Sequence, residues 1–178
     1  MKHFQRLCTA LAVLLAAGFV AFAVYPAPAN ALLSYVLPEA KISGSEGVQI
    51  VVQVFDSYLE EDAALQSGID FMAISPQGLP ELTDAEREEI TAHFEEKLGV
   101  EVLWATHDDL IAQGRAEEMF IPRGVLFSFN APPNGIGVII TVDGVKYRSG
   151  LGADFFTSTL KFSGGQWVLD STFMTAIS

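Results

Sequence analysis

The residues best suited to acid–base chemistry lie close together in the sequence. His107 is followed directly by Asp108 and Asp109, and Glu101 lies a few residues before them. An imidazole titrates near neutral pH, and a neighbouring carboxylate can orient it as a general base. The same residues also fit a short helix whose first-turn carboxylates complement the helix dipole, with His107 in solvent. His107, Asp108 and Glu101 are therefore the candidate catalytic residues, although the helix interpretation is favoured.

A second histidine, His93, lies beside Phe94 with Glu89 and Glu96 within one helical turn. This set lacks the paired histidines and the distant ligand of a zinc site, so we expect His93 to pack at the edge of the core. The single cysteine of the chain is Cys8, in the N-terminal apolar region, where it gives the remaining domain no thiolate. We predict neither a bound metal nor a cofactor.

Lys146 and Arg148 are the candidate ligand-binding residues. They lie two apart in a predicted strand and so share one face of it, where they could hold an anionic ligand. Alternating basic side chains also keep a sheet face hydrated, which is the favoured interpretation.

The charge distribution excludes two classes of partner. The chain of 178 residues has 22 acidic and 10 basic side chains and a net charge of −12. Its first half is strongly acidic, whereas from residue 124 onward three acids balance three bases. Nucleic acids and anionic lipid surfaces both require a basic footprint. We therefore expect no nucleic-acid partner, and contact with a membrane only through the N-terminal segment.

The N-terminus has the pattern of a secretory signal. Lys2 and Arg6 precede an uncharged stretch over residues 7–24, and a proline-containing segment with a small-x-small site ends at Ala31. Residues 1–31 are thus a predicted signal peptide, and residues 32–178 a single exported domain. The alternative is a retained anchor, because eighteen residues in a helix reach roughly 27 Å, close to the thickness of a bilayer core.

Local signals predict the helices. A capping-box pattern at residues 43–46 precedes an apolar stripe, and Gly68 is expected to end that helix. Residues 69–81 carry Pro76, Gly78 and Pro80 and are predicted to form an irregular connection. A second capping box at residues 83–86 begins a helix that ends at Gly99. A short strand over residues 100–104 and a small helix from Thr106 to Gly114 follow.

The second half of the chain alternates apolar and polar residues. The predicted strands are 125–129, 136–142, 145–149, 156–162 and 167–173, with Asp143 and Gly144 as a two-residue hairpin turn. They form an antiparallel meander. The sequence therefore predicts an α+β domain in which N-terminal helices pack on a curved antiparallel sheet of about five to six strands.

This order of elements over residues 45–174 resembles the NTF2-like superfamily and, more loosely, the cystatin-like folds. The resemblance implies a conical pocket between helices and sheet. A desolvated carboxylate or histidine in such a pocket would have a pKa suited to proton transfer near neutral pH. It also implies a small hydrolyase or isomerase in which His107 acts with Asp108 or Glu101.

Two functions are compatible with these observations. The favoured one is a non-enzymatic extracytoplasmic domain that binds a protein or a small-molecule ligand, because the sequence has no nucleophile elbow, P-loop or paired zinc histidines. The alternative is the NTF2-like enzyme. If the N-terminal segment is retained, a third role is that of an envelope-anchored assembly factor.

Overall fold

Three helices and seven strands make up the described part of the computed structural model, which comprises residue 42 and residues 44–178. In chain order they are α1 (Ser45–Glu61), β1 (Phe71–Ile74), α2 (Asp84–Leu98), β2 (Glu101–Trp104), α3 (His107–Ala112), β3 (Gly124–Phe129), β4 (Asn134–Ile136), β5 (Ile139–Ser149), β6 (Gly152–Ser163) and β7 (Gln166–Ile177). The fold is α+β, as predicted. The predicted signal peptide, 1–31, lies outside the described residues. Among the described helices, none is long and apolar enough to cross a membrane.

Helix α1 buries the predicted apolar stripe, although its boundaries differ from the prediction. Val48, Val51 and Phe55 are buried in the core. In the predicted capping box, Ser43 lies outside the described residues, and the N-cap of the described helix is Gly44. Gly44 has a φ of 44°, which favours glycine over other residues. The helix ends at Asp62 instead of Gly68, because the Asp62 carboxylate accepts the Ala64 amide at 2.7 Å and turns the chain.

The second predicted capping box is confirmed. The Thr83 hydroxyl accepts the Glu86 amide at 3.3 Å, and the Glu86 carboxylate accepts the Thr83 amide at 2.8 Å. Helix α2 then buries Ile90 and Phe94 and ends at Gly99, which has the left-handed conformation. The predicted small helix after Thr106 is also confirmed, as is the short strand before it.

The largest correction concerns residues 69–81, which were predicted to be irregular. They contain β1, whose four residues are all buried and which pairs in parallel with both β2 and β3. A strand covered on both faces has a continuous apolar run without alternation, so periodicity does not reveal it. Its presence makes the sheet mixed instead of antiparallel.

The predicted hairpin at Asp143 and Gly144 is wrong as well. Strand β5 passes straight through both residues, and the turn to β6 lies at Gly150 and Leu151. The strand before β5 is the short β4, which pairs with its first residues.

The seven strands form one open sheet in the order β2-β1-β3-β5-β6-β7, with β4 beside β5. Helices α1 and α2 cover one face and enclose the main core. On the opposite face, a smaller core involving α3 and the segment after it covers only the β1 and β3 side. The rest of that face, over β5, β6 and β7, has no helix on it within the described chain.

Candidate functional site

The uncovered part of the sheet is the most distinctive surface of the domain. We define the open face as the side chains of β5, β6 and β7 that point away from α1 and α2. Strand alternation and cross-strand pairing place twelve residues on it, all exposed or partly exposed. They are Ile139, Thr141, Asp143, Val145, Phe155, Thr157, Thr159, Lys161, Val168, Ser171, Phe173 and Ala176.

Cross-strand pairing arranges the open face in rows that run across the three strands. The rows are Ile139 with Lys161 and Val168; Thr141 with Thr159 and Ser171; Asp143 with Thr157 and Phe173; and Val145 with Phe155 and Ala176. Apolar side chains thus lie toward both ends, and hydroxyl side chains lie between them.

Two phenylalanines give this face its apolar character. Phe173 is 64% exposed and Phe155 is 36% exposed. They occupy adjacent rows on neighbouring strands, a diagonal arrangement within reach of aromatic side chains. Scattered apolar side chains are normal on a protein surface, whereas apolar side chains grouped on one sheet face form a candidate interaction surface.

The open face carries few charges, with one basic residue, Lys161, and one acidic residue, Asp143. Lys161 forms an ion pair with Asp170 at 2.8 Å, and Asp143 accepts a hydrogen bond from Thr157 at 2.6 Å. The surplus of acidic residues lies instead on the helices and loops of the first half of the chain. The face is therefore close to neutral on an otherwise acidic domain.

The free edge of β7 is partly closed by α1. The Gln53 side chain donates from Nε2 to the Trp167 carbonyl at 2.8 Å and accepts the Leu169 amide on Oε1 at 2.9 Å. One side-chain amide thereby takes the place of a neighbouring strand over this stretch. This contact blocks strand addition at the start of β7, so the face is a better candidate interface than the edge.

The structure does not bring the candidate catalytic residues together. His107 packs edge-on against Tyr147, with 5.4 Å between the ring centres, and its buried Nε2 has no hydrogen-bond partner among the described residues. Glu101 binds Arg115 at 2.6 Å. Asp108 is exposed in the first turn of α3, where Asp109 forms a capping box with Thr106.

Lys146 and Arg148 bind the backbone instead of lining the open face. Arg148 donates to the carbonyls of Leu65 and Ser67 at 3.1 and 2.8 Å. The Lys146 amine donates to the carbonyls of Tyr58 and Asp62, at the C-terminus of α1. Both side chains therefore hold the end of α1 and the loop after it against the sheet.

A buried ionisable cluster surrounds Lys146, and the sequence interpretation missed it. The Lys146 side chain is fully buried, the Asp154 side chain is 3% exposed, and 3.8 Å separates Nζ from Oδ2. Burial raises the pKa of the Asp154 carboxyl, and the adjacent Asp62 carboxylate raises it further. Burial lowers the pKa of Lys146, an effect that the two carboxylates oppose. Recognising this pair requires the β5–β6 register, which the misplaced hairpin obscured.

His93 lies at the interface of α1 and α2, at the edge of the core. Its Nε2 is 3.0 Å from the Asp56 carboxylate, which also binds Lys97 at 2.9 Å. The described residues contain no group of three or more His, Cys, Asp or Glu side chains able to hold a metal ion.

Comparisons with protein-family models, with curated proteins and with solved structures found no match to this chain. The resemblance to the NTF2-like superfamily stays a prediction.

Proposed function

We propose that this chain is an exported protein-interaction domain that binds a second copy of itself through the open face. The observation that supports this most directly is the exposed pair Phe155 and Phe173 on a three-stranded surface that has no helix over it in the described chain. Aromatic side chains are enriched at protein interfaces, where they bury a large area with little loss of conformational freedom. Export rests on the signal pattern of residues 1–31.

Charge favours a second copy over an unrelated charged partner. A basic partner would be attracted to the acidic helices, and an acidic one would be repelled by the whole domain. Two open faces placed against each other bring together neutral surfaces and leave the acidic helices of each copy on the outside. This arrangement keeps the acidic helices of the two copies apart, which limits the repulsion between them.

The size of the open face sets the expected affinity. Its four rows span about seven residues, or roughly 20 Å along each strand, and three strands at a spacing of about 4.8 Å cover roughly 300 Å² per copy. The total of about 600 Å² is smaller than a standard specific interface and is typical of a weak, transient contact. We therefore expect a dimer of low affinity.

The geometry of packing also suits two sheets. Sheets that pack face to face align their strands within about 30° and interdigitate side chains over a layer about 10 Å thick. In a two-fold symmetric contact, the same open-face side chains would be buried on both copies.

Sedimentation velocity of the purified chain over a concentration series tests this proposal. We expect a monomer–dimer equilibrium, and Phe173→Ser or Phe155→Ser should weaken it at least about tenfold. Leu151→Ser is the matched control, because Leu151 is 93% exposed at the β5–β6 turn and lies off the open face. A chain that stays monomeric at several hundred micromolar would exclude the second copy as partner. A dimer insensitive to both phenylalanine variants would exclude the open face.

The enzymatic alternative has less support. Its proposed base, His107, packs against Tyr147, and Glu101 is bound to Arg115. No hydrogen bond joins a carboxylate to His107 among the described residues, so the arrangement that general-base catalysis needs is not formed.

A further inference from the structure

Lys146 and Asp154 are direct cross-strand partners on β5 and β6, on the face covered by α1. Their side chains are 0% and 3% exposed. A buried ion pair is stable only when its geometry is close and the remaining polar atoms are hydrogen-bonded. This pair does not meet that condition, because 3.8 Å separates Nζ from Oδ2 and Oδ2 has no hydrogen-bond partner in the described chain.

The hydrogen bonds of Lys146 orient its nitrogen. Nζ donates to the Tyr58 carbonyl at 2.9 Å and to the Asp62 carbonyl. A neutral amine has two N–H bonds and one lone pair. With both N–H bonds directed at these carbonyls, the lone pair takes no part in hydrogen bonding and is free to react with the Asp154 carboxyl, whose Oδ2 is 3.8 Å away. Burial favours this neutral form, since it lowers the pKa of Lys146.

Asp154 has the properties of an acyl donor. Burial and the nearby Asp62 carboxylate both raise its pKa, so its carboxyl group is held protonated more readily than an exposed one. Asp62 itself is kept ionised, because the Ala64 amide donates to its carboxylate and lowers its pKa. An ionised carboxylate beside a neutral acid and an amine can accept a proton from either.

We propose that Lys146 and Asp154 join in an intramolecular amide bond within the folded chain. Nζ attacks Cγ of the protonated Asp154 carboxyl, the Nζ–Cγ bond forms, and the Cγ–OH bond breaks to release one water molecule. The proton that the amine loses passes by way of the Asp62 carboxylate, at the partly exposed end of the cluster, to the departing hydroxyl group, which leaves as that water molecule. No oxidant, reductant or further reactant is consumed.

The burial of the cluster accounts for the direction of this reaction. The amide replaces two buried ionisable groups by one neutral group, which removes their desolvation cost. Its single N–H retains the hydrogen bond to the buried Tyr58 carbonyl, whereas the Asp62 carbonyl is only part-buried and remains accessible to water. Reactants held in contact within one fold also need no encounter step.

Peptide mapping by mass spectrometry tests the proposal on the purified, unfolded and trypsin-digested chain. The free chain yields residues 124–146 and 149–161 as separate peptides, because trypsin cleaves after Arg123, Lys146, Arg148 and Lys161. The amide blocks cleavage at Lys146. It therefore yields one product in which residues 124–148 are linked to residues 149–161, and this product is lighter by one water molecule than peptides 124–148 and 149–161 together.

The chain contains its own matched control. Lys161 and Asp170 are closer, at 2.8 Å, but are 52% and 41% exposed, so this pair should stay free. Lys146→Arg and Asp154→Ala should abolish the linked product. Asp62→Asn keeps both reacting groups and should reduce the rate of linkage about a hundredfold. Recovery of the two free peptides at full yield from the folded wild-type chain would overturn the proposal.

Discussion

The hydroxyl group of Tyr58 lies directly over the backbone of Gly144. A Cβ atom added to Gly144 would approach the Tyr58 oxygen to 2.7 Å and the Ser128 carbonyl oxygen to the same distance. Tyr58 is fully buried on α1, and its ring stacks on Phe156 with 4.2 Å between the centres. Glycine in the middle of β5 thus allows α1 to pack closely on the sheet.

Gly144→Ala should therefore destabilise the domain by about 1–3 kcal/mol, the usual cost of overpacking a core. Urea unfolding at neutral pH measures the change. In a Tyr58→Phe background the cost of the same substitution should be smaller, because one of the two close contacts is removed. Equal costs in both backgrounds would show that Tyr58 does not impose the requirement for glycine.

The Asp143 and Gly144 pair also explains one limit of prediction from this sequence. An Asp-Gly pair between alternating apolar residues is a strong hairpin signal. In this structure, however, the glycine has a different role, because it leaves room for a side chain that is distant in sequence. The strand β1 was missed for a related reason: its apolar run is set by burial on both faces, which depends on the sheet order.

Features fixed by local hydrogen bonds were predictable. The capping box of Thr83 and Glu86 forms as its spacing indicates, since its partners lie within one turn. The open face and the pairing of Lys146 with Asp154 were not predictable, because both depend on strand register. Misplacing one turn changes the residues that oppose each other along β5 and β6.

Gln53→Ala should weaken the packing of α1 on β7. It removes two hydrogen bonds to edge backbone groups, at Trp167 and Leu169, and should cost about 1–2 kcal/mol. It also frees the edge for pairing with other chains, so we expect light scattering to rise on mild heating. Gln49→Ala is the matched control one turn earlier, because the Gln49 side-chain oxygen has no hydrogen-bond partner in the described chain. Equal effects of the two substitutions would contradict this role of Gln53.

The cap of α3 should make stability depend on pH through Asp109. Hydrogen bonds from the hydroxyl and amide of Thr106 lower the pKa of the Asp109 carboxyl. The pKa of Asp109 in the folded chain is therefore below its value of about 3.9 in the unfolded chain. The ionised carboxylate stabilises the fold fully above about pH 3.9, and this stabilisation is lost as the pH falls through the folded pKa. Asp109→Asn should thus lower the urea midpoint at pH 7, and the difference from wild type should shrink below about pH 4. Asp108→Asn, in the same turn, serves as control, and a pH-independent difference for Asp109→Asn would refute the mechanism.

Substitutions of His107 can distinguish a structural role of this residue from a catalytic role. Its ring packs on Tyr147 and its buried Nε2 has no hydrogen-bond partner among the described residues, so the ring contact is the interaction that this side chain contributes to the fold. Phenylalanine keeps the ring and removes the unpaired polar atom. His107→Phe should therefore leave the free energy of unfolding unchanged or raise it by up to about 1 kcal/mol. His107→Ala should lower the free energy of unfolding, because the contact with Tyr147 is lost.

Urea unfolding of both variants measures these changes. A phenylalanine variant as unstable as the alanine variant would show that the imidazole makes a polar interaction essential to the fold.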